Sequence, residues 1–175
     1  FTFAKSANKN VHFLGLVSDG GVHSHIDHVK ALIKAADQNG VQRAYVHAFT
    51  DGRDVDPKSG KGFLEDLNRF CQNTNTRLAS VIGRYYAMDR DKRWERVKLA
   101  YDLIVNGKGE RFDKVGSAIQ KSYDNNITDE FIKPILLDGE GTVKEGDVIV
   151  FFNFRTDRGR ELTQVLHQMD LPDHG

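Results

Sequence analysis

The stretch VHFLGLVS, residues 11–18, closed by Asp19-Gly20-Gly21, decides the fold. Its apolar residues run on without alternating, as in a strand buried on both faces, and the Asp-Gly-Gly turn ends it. A helix is predicted next, because Val22, Ile26, Val29, Ile33 and Ala36 recur at intervals of three and four before Asn39-Gly40 stops the pattern. The same unit then repeats. AYVHAF (44–49) reads as a second strand, followed by Asp56-Pro57 as N-cap and first-turn proline of a helix that buries Phe63, Leu64, Leu67 and Phe70. RLASVIG (77–83) reads as a third strand, and a helix from about Asp89 carries Trp94, Val97, Tyr101 and Ile104 as far as Asn106-Gly107. Residues 112–124 suit a short helix through Val115, Ile119 and Tyr123, and FIKPILL (131–137) an edge strand, since Pro134 cannot donate to a central ladder. DVIVFFNF (147–154) is the last strand, with Thr156 capping a final helix that buries Leu162, Val165, Leu166 and Met169. Alternating strands and helices imply an α/β fold: a three-layer, mainly parallel open sheet of about five strands with helices on both faces.

The 175 residues hold 25 Lys+Arg against 25 Asp+Glu, one Cys and 39% apolar residues, which suits one domain with one core. A chain of this length buries roughly 70% of its unfolded surface, enough without disulfides or structural metal. Cys71 is alone, so no internal disulfide can form, which fits a cytoplasmic protein. The balanced charge argues against a nucleic-acid partner. VIVFF (148–152) is too short to span a bilayer and FTFAKSANKN lacks the apolar core of a signal peptide, so no membrane partner is expected. The start without Met and the closing LPDHG read as a fragment, with about 1–9 and 171–175 as linker remnants around the single domain 1–175.

In an open parallel sheet the strand-to-helix loops share the carboxyl edge, where ligands bind. Here those loops are SDGGVHSH (18–25), TDGRD (50–54), GRYYAMDR (83–90) and NFRTDR (153–158). They bring Arg53, Arg84, Arg90, Arg155 and Arg158 to one edge, with His23, Asp19, Asp54, Asp89 and Asp157 beside them. Planar, permanently charged guanidinium groups in such number predict a small substrate with more than one anionic group, and helix N-termini on that edge favour the same charge. The competing reading is that these arginines pair with the neighbouring aspartates and tie loops together. Asp54, a carboxylate among arginines, is placed either to orient or deprotonate a substrate hydroxyl or to fix its loop.

His23, His25 and His28 invite a metal site, but on a helix only His25 and His28 share a face and no Cys or carboxylate pattern completes a ligand set. No metal ligand is therefore assigned; His23 is read as an anion contact. Gly20-Gly21 is not part of either nucleotide-binding glycine motif, and no G-x-S-x-G nucleophile motif is present. Cys71, next to Phe70 on a helix, reads as core or flank, and Tyr85-Tyr86 as packing that can also line a pocket. The residues alone thus reach a binding surface for a small polyanion without a complete catalytic apparatus.

The strings SDGGVHSHIDH, YVHAFTDGRD, GRYYAMDRDKRWER and FFNFRTDR resemble the cofactor-independent, or 2,3-bisphosphoglycerate-independent, phosphoglycerate mutase family over nearly the whole chain. The resemblance is to its inserted substrate-binding, or phosphotransferase, domain alone. It implies an isomerase of glycolysis and gluconeogenesis that interconverts 3-phosphoglycerate and 2-phosphoglycerate. A phosphoserine intermediate and two metal ions, manganese or similar, are implied on a phosphatase-like domain of the same chain that this sequence lacks. It further implies no cofactor in this fragment, a monomer, and no turnover by the fragment alone. By the same resemblance His23, Arg53, Asp54, Arg84, Arg90, Arg155 and Arg158 bind substrate, and Asp54 is the orienting or acid/base group. The alternative expectation is a stand-alone small-phosphate-binding or partner-binding module.

Overall fold

The computed structural model describes residues 1–167. Six strands form one sheet: β1 (Val11–Leu16), β2 (Ala44–Thr50), β3 (Thr76–Gly83), β4 (Glu110–Arg111), β5 (Ile135–Leu136) and β6 (Val148–Phe151), in the order β4-β5-β3-β2-β1-β6. The four longer strands run parallel, and β5 lies antiparallel to β3. The expected three-layer α/β architecture is therefore present, with one more strand than expected. The FIKPILL segment is not the edge: β4 lies outside it, and the Pro134 carbonyl accepts from Glu110 N (3.0 Å). Pro134 precedes the two paired residues, so its missing N–H costs the ladder nothing.

Helices α1 (Thr2–Ser6), α2 (Ile26–Gln38), α3 (Gly60–Cys71) and α6 (Val115–Asp124) pack on one face, where Ala4, Val29, Ile33, Leu64, Leu67 and Ile119 meet Phe13 and Val46. Helices α4 (Arg84–Ala87), α5 (Trp94–Asn106) and α7 (Arg160–His167) cover the other, where Val97, Leu103, Ile104, Leu162 and Val165 meet Leu14, Leu16 and Phe49. β1, β2 and β3 are buried along nearly their whole length, which is why their sequence does not alternate.

Several helix starts differ from the sequence reading. Val22 is exposed in the loop before α2, whose first turn is capped by His25 accepting from Asp27 N. Asp56 and Pro57 form a turn ahead of α3, with Asp56 accepting from Lys58 N. The helix expected from about Asp89 begins only at Trp94 as α5, and an additional short helix, α4, follows β3 directly. α7 begins at Arg160, and Thr156 lies in the turn before it. Residues 1–9 include α1, which buries Ala4, whereas Met169 and 171–175 lie outside the described residues.

A chain of hydrogen bonds crosses the buried strands. Asp147 Oδ2 meets His12 Nε2 (3.0 Å), His12 Nδ1 meets His47 Nε2 (3.0 Å), and His47 Nδ1 meets Ser80 Oγ (2.7 Å). Ser80 faces His47 only because the β2–β3 register shifts after Val46, skipping Ala79.

Candidate functional site

β1, β2 and β3 follow one another across the sheet, and the chain then returns to the far side of β1 with β6. This reversal makes β1–β6 a topological switch point at the carboxyl edge. The Phe154 and Arg155 amides both donate to the His23 carbonyl (2.9 and 3.4 Å), binding the loop after β6 to the loop after β1.

Arg84 is the hub of that edge. It is the first residue of α4, directly after Gly83, and is only 5% exposed. Gly83 is required there: a Cβ would meet the Glu130 carbonyl oxygen and, at 2.7 Å, Ile132 N, so any side chain would push the 130–132 segment away. Arg84 Nη1 donates to Asp51 Oδ1 (2.7 Å) and Asp54 Oδ2 (2.6 Å), and Nη2 to His23 Nε2 (3.0 Å). A guanidinium can only donate, so His23 Nε2 is the acceptor and the neutral ring carries its proton on Nδ1. That buried Nδ1 finds no partner among the described residues. Burial, and after it the Arg84 charge, hold the His23 imidazole below its ordinary value. Burial opposes the Arg84 charge as well, but bonds to Asp54 and Asp51 outweigh it and raise its affinity for its proton.

A cavity of about 300 Å³ opens beside Arg84, at the small end of the range for ligand pockets. Six arginines line it: Arg53, Arg84, Arg90, Arg93, Arg96 and Arg158. Four are partly engaged. Arg53 lies 3.7 Å from Glu130, Arg90 is 3.3 Å from Asp157, Arg96 is 3.4 Å from Asp89, and Arg84 is held as described. Arg158 is in a different state. Its Nε is buried without a partner among the described residues, and burial together with repulsion from Arg90, Arg84 and Arg53 lowers its proton affinity. An orphaned N–H costs about 1–3 kcal/mol. An anion in the cavity would offset the repulsion among these guanidinium groups.

Of the seven residues singled out from sequence, Arg53, Arg84, Arg90 and Arg158 line this cavity, and His23 and Asp54 join it through Arg84. Arg155 is half-exposed and forms a two-pronged pair with Asp157 (2.8 and 3.1 Å), which also binds Arg90. Arginine–aspartate pairing thus describes part of the cluster and an open cavity the rest. The sequence reading passed over Arg93, Arg96 and Asp51. Arg96 Cζ lies over the Tyr85 ring, 3.7 Å from its centroid, so that tyrosine both lines the cavity and holds a guanidinium. His25 and His28 stand apart from this cluster, on α2 and its cap, and Cys71 is buried in the opposite layer. Among the described residues no group of three or more His, Cys, Asp or Glu side chains is placed to hold a metal ion.

Known proteins are similar to this chain over nearly its whole length. A 2,3-bisphosphoglycerate-independent phosphoglycerate mutase of Flavobacterium psychrophilum is 59% identical over 176 residues, covering 98% of this chain and 35% of the relative. The enzyme of the same name from Bacteroides fragilis is 58% identical, covering 100% and 35%. The crystal structure of Leishmania mexicana phosphoglycerate mutase at low cobalt concentration superposes with a TM-score of 0.87 at 33% identity, covering 98% of this chain and 34% of that one. This chain therefore spans about a third of the length of these relatives. The family described as BPG-independent PGAM N-terminus (iPGM_N) matches residues 1–174, and the chain belongs to that family.

Proposed function

We propose that the chain is the substrate-binding part of a 2,3-bisphosphoglycerate-independent phosphoglycerate mutase, an isomerase that exchanges 3-phosphoglycerate and 2-phosphoglycerate. The observation that carries this reading is the six-arginine cavity, whose Arg158 carries a charge repelled by its neighbours and a buried Nε–H with no partner among the described residues. Such a site favours a ligand with two anionic ends, and phosphoglycerate carries a phosphate and a carboxylate. In this reading Arg53, Arg84, Arg90 and Arg158 hold those two groups, and Arg155 joins them when Asp157 is displaced. His23, whose buried Nδ1 has no partner among the described residues, contacts the phosphate. Asp54, bonded to Arg84 and 3.6 Å from His23, orients the glycerate hydroxyls or exchanges their protons.

The reaction also needs a group to carry the phosphate between hydroxyls. We assign that phosphoserine, and the pair of divalent ions such as manganese, to the portion of the relatives that extends beyond this chain. The residues described here do not supply a metal ligand set, so every role given to them is binding, orientation or proton exchange. The whole protein is read as a cytoplasmic monomer of glycolysis and gluconeogenesis.

Titration of the chain with 3-phosphoglycerate, followed by amide chemical shifts, tests the binding role. Saturation with shifts centred on 51–54, 83–90 and 153–158 is expected. A linear response to millimolar ligand, or an Arg158→Ala variant with the parental curve, overturns it.

A further inference from the structure

We propose that Asp51 is the positioning residue of this site: its carboxylate presets Arg84 and the 51–54 turn before an anion arrives. The proposal deepens the phosphoglycerate-binding reading and rests on it. Asp51 Oδ1 accepts from Arg53 N (3.1 Å), Asp54 N (2.9 Å) and Arg84 Nη1 (2.7 Å), while Oδ2 accepts from the Ser18 hydroxyl (2.7 Å). Ser18 follows β1, Arg53 and Asp54 follow β2, and Arg84 follows β3. One carboxylate, 2% exposed, therefore joins the loops of three adjacent strands.

Asp51 is not itself a ligand. Both oxygens are occupied, it does not line the cavity, and its negative charge repels an anion bound nearby. The bond to Arg84 gives that charge a different use. Two Nη1 donors and one Nη2 donor of Arg84 are committed to Asp51, Asp54 and His23, which leaves Nε–H and the second Nη2–H for a ligand. The side chain is thereby ordered during folding rather than during binding, and binding is spared that entropic cost.

The rival explanation is that Asp51 only balances the Arg84 charge, and the two differ in sign. Loss of a charge balancer strengthens anion binding, whereas loss of a positioning group weakens it. The 175-residue chain, Asp51→Ala and Asp51→Asn are compared by titration with 3-phosphoglycerate and with inorganic phosphate. The Arg84 guanidinium ¹⁵N–¹H signals are recorded without ligand. Asp51→Ala is expected to bind roughly tenfold more weakly and to average the Arg84 signals. Asp51→Asn keeps an oxygen for the three Oδ1 donors and is expected to hold affinity within about threefold and the signals resolved. Equal or tighter binding by a folded Asp51→Ala chain overturns the proposal. Should that variant not fold, Ser18→Ala frees Oδ2 and lets the carboxylate turn. Weakened binding with broadened Arg84 signals supports the proposal, and unchanged signals with full affinity overturn it. If the parent chain binds neither probe, the phosphoglycerate reading fails, while the Arg84 signals still decide whether Asp51 fixes that side chain.

Discussion

Replacing Arg84 by Met keeps most of its volume and removes its charge and donors. Three partners are then abandoned: Asp51 at 2.7 Å, Asp54 at 2.6 Å and His23 at 3.0 Å. Breaking a buried ion pair by removing one member costs about 3–5 kcal/mol. The lower end applies, because Asp51 keeps its bonds from Ser18 and two amides, and the Asp54 side chain is 18% exposed and can be hydrated. A loss of about 3 kcal/mol near neutral pH is therefore expected. The loss should also depend on pH. Burial keeps depressing the His23 imidazole in the variant, but the second cause, the Arg84 charge, is gone and Asp54 still attracts a proton. His23 therefore protonates more readily in the folded variant than in the folded parent and partly replaces the missing cation. Denaturant unfolding of both chains at about pH 7.5 and about pH 5.5, with the His23 titration followed by NMR, measures this. The stability gap should narrow on acidification. A gap that is absent at neutral pH, or that stays constant while His23 titrates unchanged, would refute the account of Arg84 as the hub of the carboxyl edge.

Folded-state proton affinity is lowered by burial at His12, His23 and His47, furthest at His47, relative to an ordinary value of 6.5. The unfolded chain thus binds more protons as pH falls below about 6.5, and stability should decline there by up to about 1.4 kcal/mol per pH unit for each histidine. Flat unfolding curves between about pH 7 and about pH 5 would contradict the buried neutral assignment. Gly83→Ala places a Cβ 2.7 Å from Ile132 N and against the Glu130 carbonyl, and should cost about 3 kcal/mol in chemical denaturation. Burial pushes the Cys71 thiol up to about 12, so a thiol reagent at about pH 8 should leave it unmodified in the folded chain and label it rapidly in denaturant. Rapid labelling of the folded chain would place Cys71 outside the core.

The strand-to-helix loops were legible because uninterrupted apolar strands such as VHFLGLVS announce burial on both faces, and parallel strands then put their following loops on one edge. That argument brings Arg53, Arg84, Arg90 and Arg158 together without coordinates. It could not separate them from Arg155, because whether an arginine faces a cavity or an adjacent Asp157 depends on side-chain placement rather than spacing. Asp51 was hidden for a related reason: an acidic residue in a turn gives no sign of burial, and its donors are drawn from three separate loops. Arg93 and Arg96 reach the cavity because α4 occupies the first turn after β3 and delays α5. Four helical residues are too few to show a period. The same shortness concealed β4 and the inner position of β5, each two residues long.

The row Asp147–His12–His47–Ser80 acts as a combination lock on strand pairing. It closes only when β1, β2 and β3 sit in their native offsets and the extra residue Ala79 is looped past Val46 and His47. Sliding β3 back by one residue would set Ala79 opposite His47 and strand an imidazole nitrogen and a serine hydroxyl in a dry interior, which apolar side chains alone would not penalise. Misaligned sheets that leucine and valine would tolerate are thereby rejected, and the loops that carry Asp51 and Arg84 emerge at matching heights.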